Sequence, residues 1–238
     1  MLEGMFLAAA GGRVQSERID VIGLNLSKMT DTGYKADYAA VQAEAVRGLG
    51  TERPGRLVTS PDFADGAPVK TGRALDVALV GEGFLQARGP HGTYYTRSGN
   101  LHIDSDKQLA LGSGLKVLSD GGEPISISPD SEVEIDSSGN VVQGGAVVAK
   151  LGLVKFADPH RDLVRRDGHF AAANDAVTPE EASCRVSAGM RESSNVSAIR
   201  AMVEMIESSR AFEACMRMIR YQDATLGKLI GEVGSVSG

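Results

Sequence analysis

Apolar positions recur at alternating spacings of three and four residues at both ends of the chain, and in short runs between turns elsewhere. Such spacing places side chains on one face of an α-helix, so it predicts a helix over about residues 3–28 and another over about 195–230. All eight prolines lie between residues 54 and 179, and their absence from both ends permits long helices there.

The first predicted helix carries a heptad-like seam. Its members are Met5, Ala8, Gly12, Gln15, Ile19, Ile22 and Leu26. Because Ala8 and Gly12 are small, they allow a partner helix to approach closely.

The last predicted helix has a longer apolar stripe with balanced charge on its other side. The stripe consists of Ile199, Met202, Val203, Ile206, Phe212, Met216, Ile219, Leu226 and Ile230. Ser194 or Asn195 is predicted as its N-cap. A long helix of this kind needs a partner to cover its apolar face.

The middle of the chain is rich in turn residues. Residues 36–70 contain several glycines and prolines and are predicted to form an extended connector. From residue 71 the pattern predicts short strands, at 75–80, 84–87, 93–97, 101–103, 108–111, 116–117, 125–127, 133–135, 141–143 and 150–156. The expected core residues are Val77, Leu79, Phe84, Ile125, Val154 and Phe156.

These patterns together predict an α+β fold, with a discontinuous helical coiled-coil domain built from both termini and a middle antiparallel β-rich domain. The predicted boundaries are 1–35 for the first helix, 36–70 for the connector, 71–188 for the β-rich domain and 189–238 for the last helix.

The composition and net charge of the chain indicate a globular protein and disfavour some classes of partner. Apolar residues make up 42% of the chain and charged residues 24%, which is typical of a folded globular protein. The formal net charge of −6 disfavours nucleic acid as a main partner. No apolar run approaches the roughly 20 residues of a membrane helix, so the chain is not expected to span a membrane.

The sequence offers little catalytic chemistry. The four histidines, 91, 102, 160 and 169, lack the spacing of a zinc site. Asp104-Ser105-Asp106 is predicted to be a polar hairpin turn rather than a calcium loop, and Cys215 a small buried apolar residue. We therefore expect no catalytic, cofactor-binding or metal site, and no enzyme. The residues alone leave two hypotheses open: a helical pair that caps the β domain within one chain, and an assembly module whose ends bind neighbouring copies.

Three ordered motifs carry a family resemblance. They are Leu24-Asn25-Leu26-Ser27 with Thr32-Gly33-Tyr34-Lys35, then Tyr95-Thr96-Arg97-Ser98-Gly99-Asn100, and finally Ser194-Asn195-Val196 with Arg210-Ala211-Phe212-Glu213. These motifs resemble the signatures of the axial proteins of the bacterial flagellum, specifically the basal-body rod proteins. Leu24 and Lys28 depart from the usual asparagines of the first motif. The sequences of residues 73–79 and 122–127 are similar to those of proximal-rod proteins rather than to those of distal-rod proteins.

The resemblance implies a structural subunit of the proximal rod that self-assembles through its terminal helices. The implied partners are other copies, neighbouring rod proteins and the flagellar type III export apparatus, and the implied location is the periplasmic rod, reached without a cleaved signal peptide. Asn25, Asn195 and Val196 then join the helix seams as expected assembly residues. The alternative function is a stand-alone β-domain binding module, such as an adhesin or a peptidoglycan-binding protein.

Overall fold

The computed structural model of the chain describes residues 2–45, 52–128, 132–174, 176–182 and 184–236. It has the predicted α+β organisation, with a helix at each end and a β-rich middle. Contacts divide the chain into two compact units. The first, here the helical unit, comprises Met1–Ser27, Asp37–Asp62 and Val196–Gly238. The second, here the β unit, comprises Lys28–Ala36 and Phe63–Asn195.

Three helices are present among the described residues: α1 (Leu2–Ser27), α2 (Pro159–Asp162) and α3 (Ala198–Val236). The predictions of a first and a last helix are confirmed. The predicted N-cap of α3 at Ser194 or Asn195 is wrong, because α3 begins at Ala198 and the Ser197 hydroxyl accepts the Arg200 N–H at 3.5 Å. Serine at this position satisfies an N–H that has no partner within the helix.

The described strands are short, as expected for a chain rich in turns. They are β1 (Asp37–Ala45), β2 (Glu52–Pro61), β3 (Pro68–Lys70), β4 (Val77–Val80), β5 (Phe84–Gly89), β6 (Gly92–Thr96), β7 (Leu101–Ile103), β8 (Leu109–Leu111), β9 (Lys116–Val117), β10 (Val133–Ile135), β11 (Asn140–Gln143), β12 (Ala146–Lys150), β13 (Leu153–Lys155), β14 (Leu163–Arg166), β15 (His169–Ala172), β16 (Glu180–Glu181), β17 (Arg185–Ala188) and β18 (Met190–Glu192).

The sequence predicts an extended connector over 36–70, whereas the described parts of this range, 36–45 and 52–70, contain the strands β1, β2 and β3. Strands β1 and β2 pair antiparallel from Asp37 opposite Pro61 onward, with a register shift between Gln42 and Glu44. This hairpin packs against α1 inside the helical unit. The predicted domain boundaries therefore stay a prediction, and the contact-based division differs from them here.

The β unit is built from antiparallel pairs, as predicted. Its largest sheet runs β14-β15-β6-β5-β9-β8-β7, with β13 pairing both β5 and β16. A three-stranded sheet runs β10-β11-β12, and β17 with β4 and β18 with β3 form two-stranded pairs. Ile125 and Ile127 are buried, but the predicted strand at 125–127 forms only one isolated bridge, between the exposed Ser126 and Gln108.

Aliphatic side chains fill the core of the β unit. Val77, Leu85, Leu101, Leu109 and Val141 are among the buried residues that contact one another there. An adjoining cluster is aromatic, with the rings of Phe84, Tyr95, Phe156 and Phe170 at centroid distances of 4.9–6.0 Å. All six core residues expected from the sequence are buried.

Candidate assembly site

The helical unit pairs α1 with α3 in antiparallel orientation. A Cβ atom added at Gly4 would lie 2.6 Å from Nε2 of Gln222, whereas one added at Gly12 would lie 3.6 Å from Cβ of Cys215. Residue numbers thus rise along α1 as they fall along α3. Glycine at positions 11 and 12 leaves room for Phe212 and Cys215 to approach the backbone of α1. At Gly12, one of the two small residues of the predicted seam, the neighbouring helix is therefore α3 of the same chain.

The residues of the predicted seam on α1 are covered in part or in full. Ala8, Gly12, Ile22 and Asn25 are buried, and Met5, Gln15, Ile19 and Leu26 are half-buried. Val14 is also buried, although the spacing of three and four did not include it. Because α1 contacts both α3 and the β1–β2 hairpin, it is covered over more than one stripe, which a single-partner pattern does not predict.

The predicted stripe on α3 separates into two parts. Phe212, Ile219 and Leu226, in the second part of the helix, are half-buried. Ile199, Val203 and Ile206, in the first part, are exposed, whereas Val196 just before the helix is half-buried. At about 100° per residue, however, Phe212 lies about 140° around the helix from Ile199 and on the same side as the buried Ser208, so the later residues lie on the covered side of α3.

Opposite faces of the first part of α3 have opposite environments. Ile199, Met202, Val203 and Ile206, here the open face, are between 47% and 75% exposed. Ala201 and Ser208 are buried, and at about 100° per residue they lie roughly 180° from the centre of the open face. Small residues therefore contact the rest of the unit while large apolar ones face outward. A large apolar face of this kind marks a binding surface.

Asn25 lies at the end of α1 and binds the start of β1. Its Nδ2 donates to the Asp37 carbonyl at 2.8 Å, and its Oδ1 accepts the Asp37 N–H at 2.9 Å. The side chain amide thereby satisfies both backbone groups of one residue, as a paired strand would. The first family motif thus includes a residue that fixes where the hairpin begins.

Asn195 binds two other segments of the β unit instead of capping α3. Its Oδ1 accepts the Ala36 N–H at 2.7 Å and its Nδ2 donates to the Ala64 carbonyl at 3.1 Å. Its own N–H donates to the carbonyl of Tyr34 at 3.3 Å. Residues 34, 36, 64 and 195, which are distant in sequence, are thus held together by one asparagine.

The β unit also contains a polar cleft of about 510 Å³ around His169. The imidazole nitrogens lie 3.2 Å from Oγ1 of Thr96 and 2.9 Å from Oγ of Ser113. Burial lowers the pKa of His169, and the nearby Asp167 carboxylate acts in the opposite direction. The neutral ring accordingly bridges β15, β6 and the turn after β8.

Other chemistry expected from the sequence can be placed on the structure. Asp104 begins a hairpin turn between β7 and β8, since its Oδ1 accepts the N–H groups of Asp106 and Gln108, so the turn prediction is confirmed. Cys184 and Cys215 are free thiols, and Cys215 is half-buried against α1. Over the described residues, no group of three or more His, Cys, Asp or Glu side chains could hold a metal ion, and no helix is apolar enough over membrane length to cross a bilayer.

Two family models match separate parts of the chain. The model described as the flagellar hook protein FlgE/F/G D1 domain matches residues 78–143, which lie in the β unit. The model described as the flagellar basal body rod FlgEFG protein C-terminal region matches residues 187–232, which include the open face of α3.

Whole-chain relatives decide the family. The flagellar basal-body rod protein FlgF of Salmonella typhimurium is 32% identical over 225 residues, with 87% of this chain and 89% of the relative covered. The chain belongs to the flagellar basal-body rod protein family. FlgF of Caulobacter vibrioides is 28% identical over 84% of this chain and 85% of its own length. The rod protein FlgG of Borreliella burgdorferi is 30% identical, with coverage of 95% and 97%.

Among rod proteins the chain is most like FlgF, as its motifs predict. It is a structural rod protein and not an enzyme, because the relatives that cover its length are rod proteins. Membership of this family therefore favours the open face of α3, rather than the polar cleft around His169, as the candidate functional site.

Proposed function

We propose that this rod protein builds the proximal rod by self-assembly, and that the open face of α3 is the surface through which one copy binds the next. The observation that carries the proposal is the position of Ile199, Met202, Val203 and Ile206. These four side chains are exposed on a helix whose opposite face is already buried.

Burial of these side chains would supply the free energy of association. Covering one large aliphatic side chain stabilises by about 1.5–3 kcal/mol relative to leaving it exposed. The spacings of three and four residues between Ile199, Met202 or Val203, and Ile206 suit knobs-into-holes packing. We therefore propose a coiled-coil contact between α3 and a helix of a neighbouring subunit.

The two hypotheses that the sequence leaves open thus describe different faces of the same helices. Cys215 and Phe212 contact α1 in the same chain. The open face is available to a second subunit. The seam residues of α1, with Phe212, Ile219 and Leu226, would then position the open face, while Ile199, Val203 and Ile206 would bind the neighbour.

The finer points of location and partners are part of this proposal. The family resemblance supports other copies and neighbouring rod proteins as partners, the periplasmic rod as the location, and passage through the flagellar type III apparatus without a cleaved signal peptide. We retain residues 71–188 as a proposed separately folding β-rich domain, with the segments on either side serving assembly.

Val203→Glu tests the open face, and Val148→Glu is the matched control. Val203 on α3 is 50% exposed and Val148 on β12 is 47% exposed, so both variants should change the unfolding free energy of the monomer by no more than about 0.5 kcal/mol. We expect Val203→Glu to abolish self-association in sedimentation and rod formation in cells. Val148→Glu should assemble normally. Normal assembly by Val203→Glu would contradict the proposal.

A further inference from the structure

Four charged side chains meet inside the β unit, and we refer to them as the charge cluster: Lys35, Asp65, Arg97 and Glu192. Lys35 Nζ lies 2.6 Å from Glu192 Oε1, and Arg97 pairs with Asp65 at 2.9 Å and with Glu192 at 3.6 Å. The side chains of Lys35, Arg97 and Glu192 are at most 4% exposed. Two cations and two carboxylates balance within the cluster.

Backbone groups supply further hydrogen bonds to these buried charges, although Arg97 Nε and Glu192 Oε2 have no hydrogen-bond partner among the described residues. Lys35 Nζ also donates to the Ala64 carbonyl at 2.7 Å, and the Gly66 N–H donates to Glu192 Oε1 at 2.9 Å. Arg97 donates to the carbonyls of Leu79 and Gly81 at 3.2 and 2.7 Å. A buried charge is tolerated only with such partners, so each segment that provides one stabilises the others.

In sequence, three members of the cluster lie close to points at which the chain passes from one unit to the other. The chain makes four such passages, between residues 27 and 28, 36 and 37, 62 and 63, and 195 and 196, and the last three are called here the three passages. Lys35, Asp65 and Glu192 each stand within four residues of a different passage, and Asn195 joins the same three segments through Ala36 and Ala64. Lys28–Ala36 contains no helix or strand, so these side-chain bonds, together with backbone bonds from Gly33 and to Tyr34, connect it to the rest of the β unit.

Gly33 shows how closely the segments approach. Its N–H donates to the Glu192 carbonyl at 2.8 Å, and its φ is +66°. A Cβ atom at this position would lie 2.4 Å from the carbonyl carbon of Arg97, so only glycine fits. The glycine and the lysine of the first family motif therefore both serve the docking of residue 192, which is more than 150 residues away in sequence.

We propose that the charge cluster is a latch that makes the three passages dock together or not at all. If residues 192–195 have not docked, Lys35 has no carboxylate partner at 2.6 Å and its burial is strongly disfavoured. If residues 33–36 have not docked, Glu192 loses its closest cation. Glu192 is then a positioning residue: it holds together the β-unit residues that lie beside the three passages.

The latch goes beyond the proposed function, and only its effect on rod assembly depends on that proposal. A chain whose last β-unit residues are not yet docked would leave all three passages loose. In such a chain, the positions at which the terminal segments leave the β unit would not be fixed. The latch would therefore couple correct folding of the β unit to readiness for assembly.

Hydrogen exchange of the full-length chain tests the latch through Glu192→Gln. We expect exchange at the amides of Gly33, Gly66 and Asn195 to rise by about a hundredfold, because an uncompensated Lys35 favours opening of all three segments. Exchange at Leu109 and Leu118, whose amides bond within the sheet region, should stay unchanged. Glu181→Gln is the matched control, since it removes the exposed partner of Lys150 at 2.9 Å in the same unit, and it should change no amide.

Three results would overturn the latch. They are a uniform rise that includes Leu109 and Leu118, a rise at only one of the three segments, and no rise at all. If Glu192→Gln does not fold, Asp65→Asn gives a milder test, because Asp65 is 54% exposed and Lys35 keeps its partner. That variant should raise the exchange rate at Gly33, Gly66 and Asn195 together, by a smaller factor. A rise limited to Gly66 would count against the latch.

An assembly assay of the same variants separates the two proposals. Both proposals are supported if Glu192→Gln raises exchange at the three segments and also reduces assembly. The proposed function fails alone if the exchange pattern is found as expected while Val203→Glu assembles normally. The latch fails alone if Val203→Glu blocks assembly and the exchange pattern is absent.

Discussion

The helical unit and the β unit differ in what they do with large apolar side chains. In the β unit, Val77, Leu85, Leu101 and Val141 are almost completely buried. In the described part of the helical unit, the buried apolar side chains are Ala8, Val14, Ile22 and Ala201, most of them small. Its exposed ones include Phe6, Leu7, Met218 and Tyr221 in addition to the open face of α3.

This difference indicates which unit is complete in one chain. The β unit buries an aliphatic core and an aromatic cluster, and it pairs the buried charges of Lys35, Arg97 and Glu192 within itself. The helical unit pairs α1 with α3 and still leaves large apolar side chains in solvent. Because exposed apolar surface of this extent is typical of an interface, we expect the helical unit to gain its full stability only when neighbouring subunits cover it.

The largest contrast should appear when one aliphatic side chain is shortened in each unit. Leu101→Ala removes a completely buried side chain and should lower the unfolding free energy of the β unit by about 2–5 kcal/mol. Ile199→Ala removes an exposed side chain and should change monomer stability by less than about 0.5 kcal/mol. Urea unfolding of the monomer measures both. Equal losses for the two variants would remove the distinction between the units.

A smaller effect is expected inside the helical unit from Gly12→Leu. A Cβ atom there already touches Phe212 and Cys215 at 3.6–3.9 Å, so the rest of a leucine side chain would overpack the α1–α3 contact and cost about 1–3 kcal/mol. Gly23→Leu is the control, because among the described residues no heavy atom outside its chain neighbours and the adjacent backbone of α1 lies within 4 Å of its Cβ position. Leucine favours a helix over glycine by up to about 1 kcal/mol, so Gly23→Leu should stabilise α1.

Thermal unfolding followed by far-ultraviolet circular dichroism compares the two glycine variants. Opposite shifts in the midpoint support a close α1–α3 approach within one chain. If both substitutions stabilise the protein equally, the helices are not in close contact at Gly12.

The smallest expected effect concerns pH and the β unit alone. The pKa of His169 is lowered by burial, so the folded state binds fewer protons than the unfolded state just below the ordinary value of 6.5. Stability is therefore fully present above about pH 6.5 and is lost as the pH falls toward the lowered pKa. In His169→Gln this part of the loss should disappear. Unfolding free energies measured from about pH 8 to 5 test it, and an unchanged pH profile would contradict it.

The sequence predicts the helices and the β core well because their patterns are local. Periodicity places α1 and α3 within a few residues of their observed starts, and short aliphatic runs locate Val77, Leu79 and Phe84 in the core. The β1–β2 hairpin is missed because its strands contain Pro54, Pro61 and several alanines, which favour loops or helices when taken alone. Its pairing and its contact with α1 stabilise it instead.

The candidate site is less predictable because it depends on distant partners. Helical periodicity separates Ile199 and Phe212 by about 140° around α3, but it does not show which side contacts α1. In the structure Phe212 is the covered one and Ile199 is exposed. The charge cluster joins residues 35 and 192, and a lone lysine or glutamate in a loop has no local mark of burial. The family motifs at Thr32–Lys35 and Ser194–Val196 were the available signal, although they do not show that the two segments meet.

The most direct test of the account is the reactivity of Met202 in the monomer and in the assembled rod. Hydroxyl-radical oxidation followed by mass spectrometry measures it residue by residue. Met202 is exposed on the open face of α3, and we expect it to be oxidised readily in dilute monomer and strongly protected after assembly, while exposed Val148 in the β unit keeps its reactivity. Equal oxidation of Met202 in both states would contradict assembly through the open face.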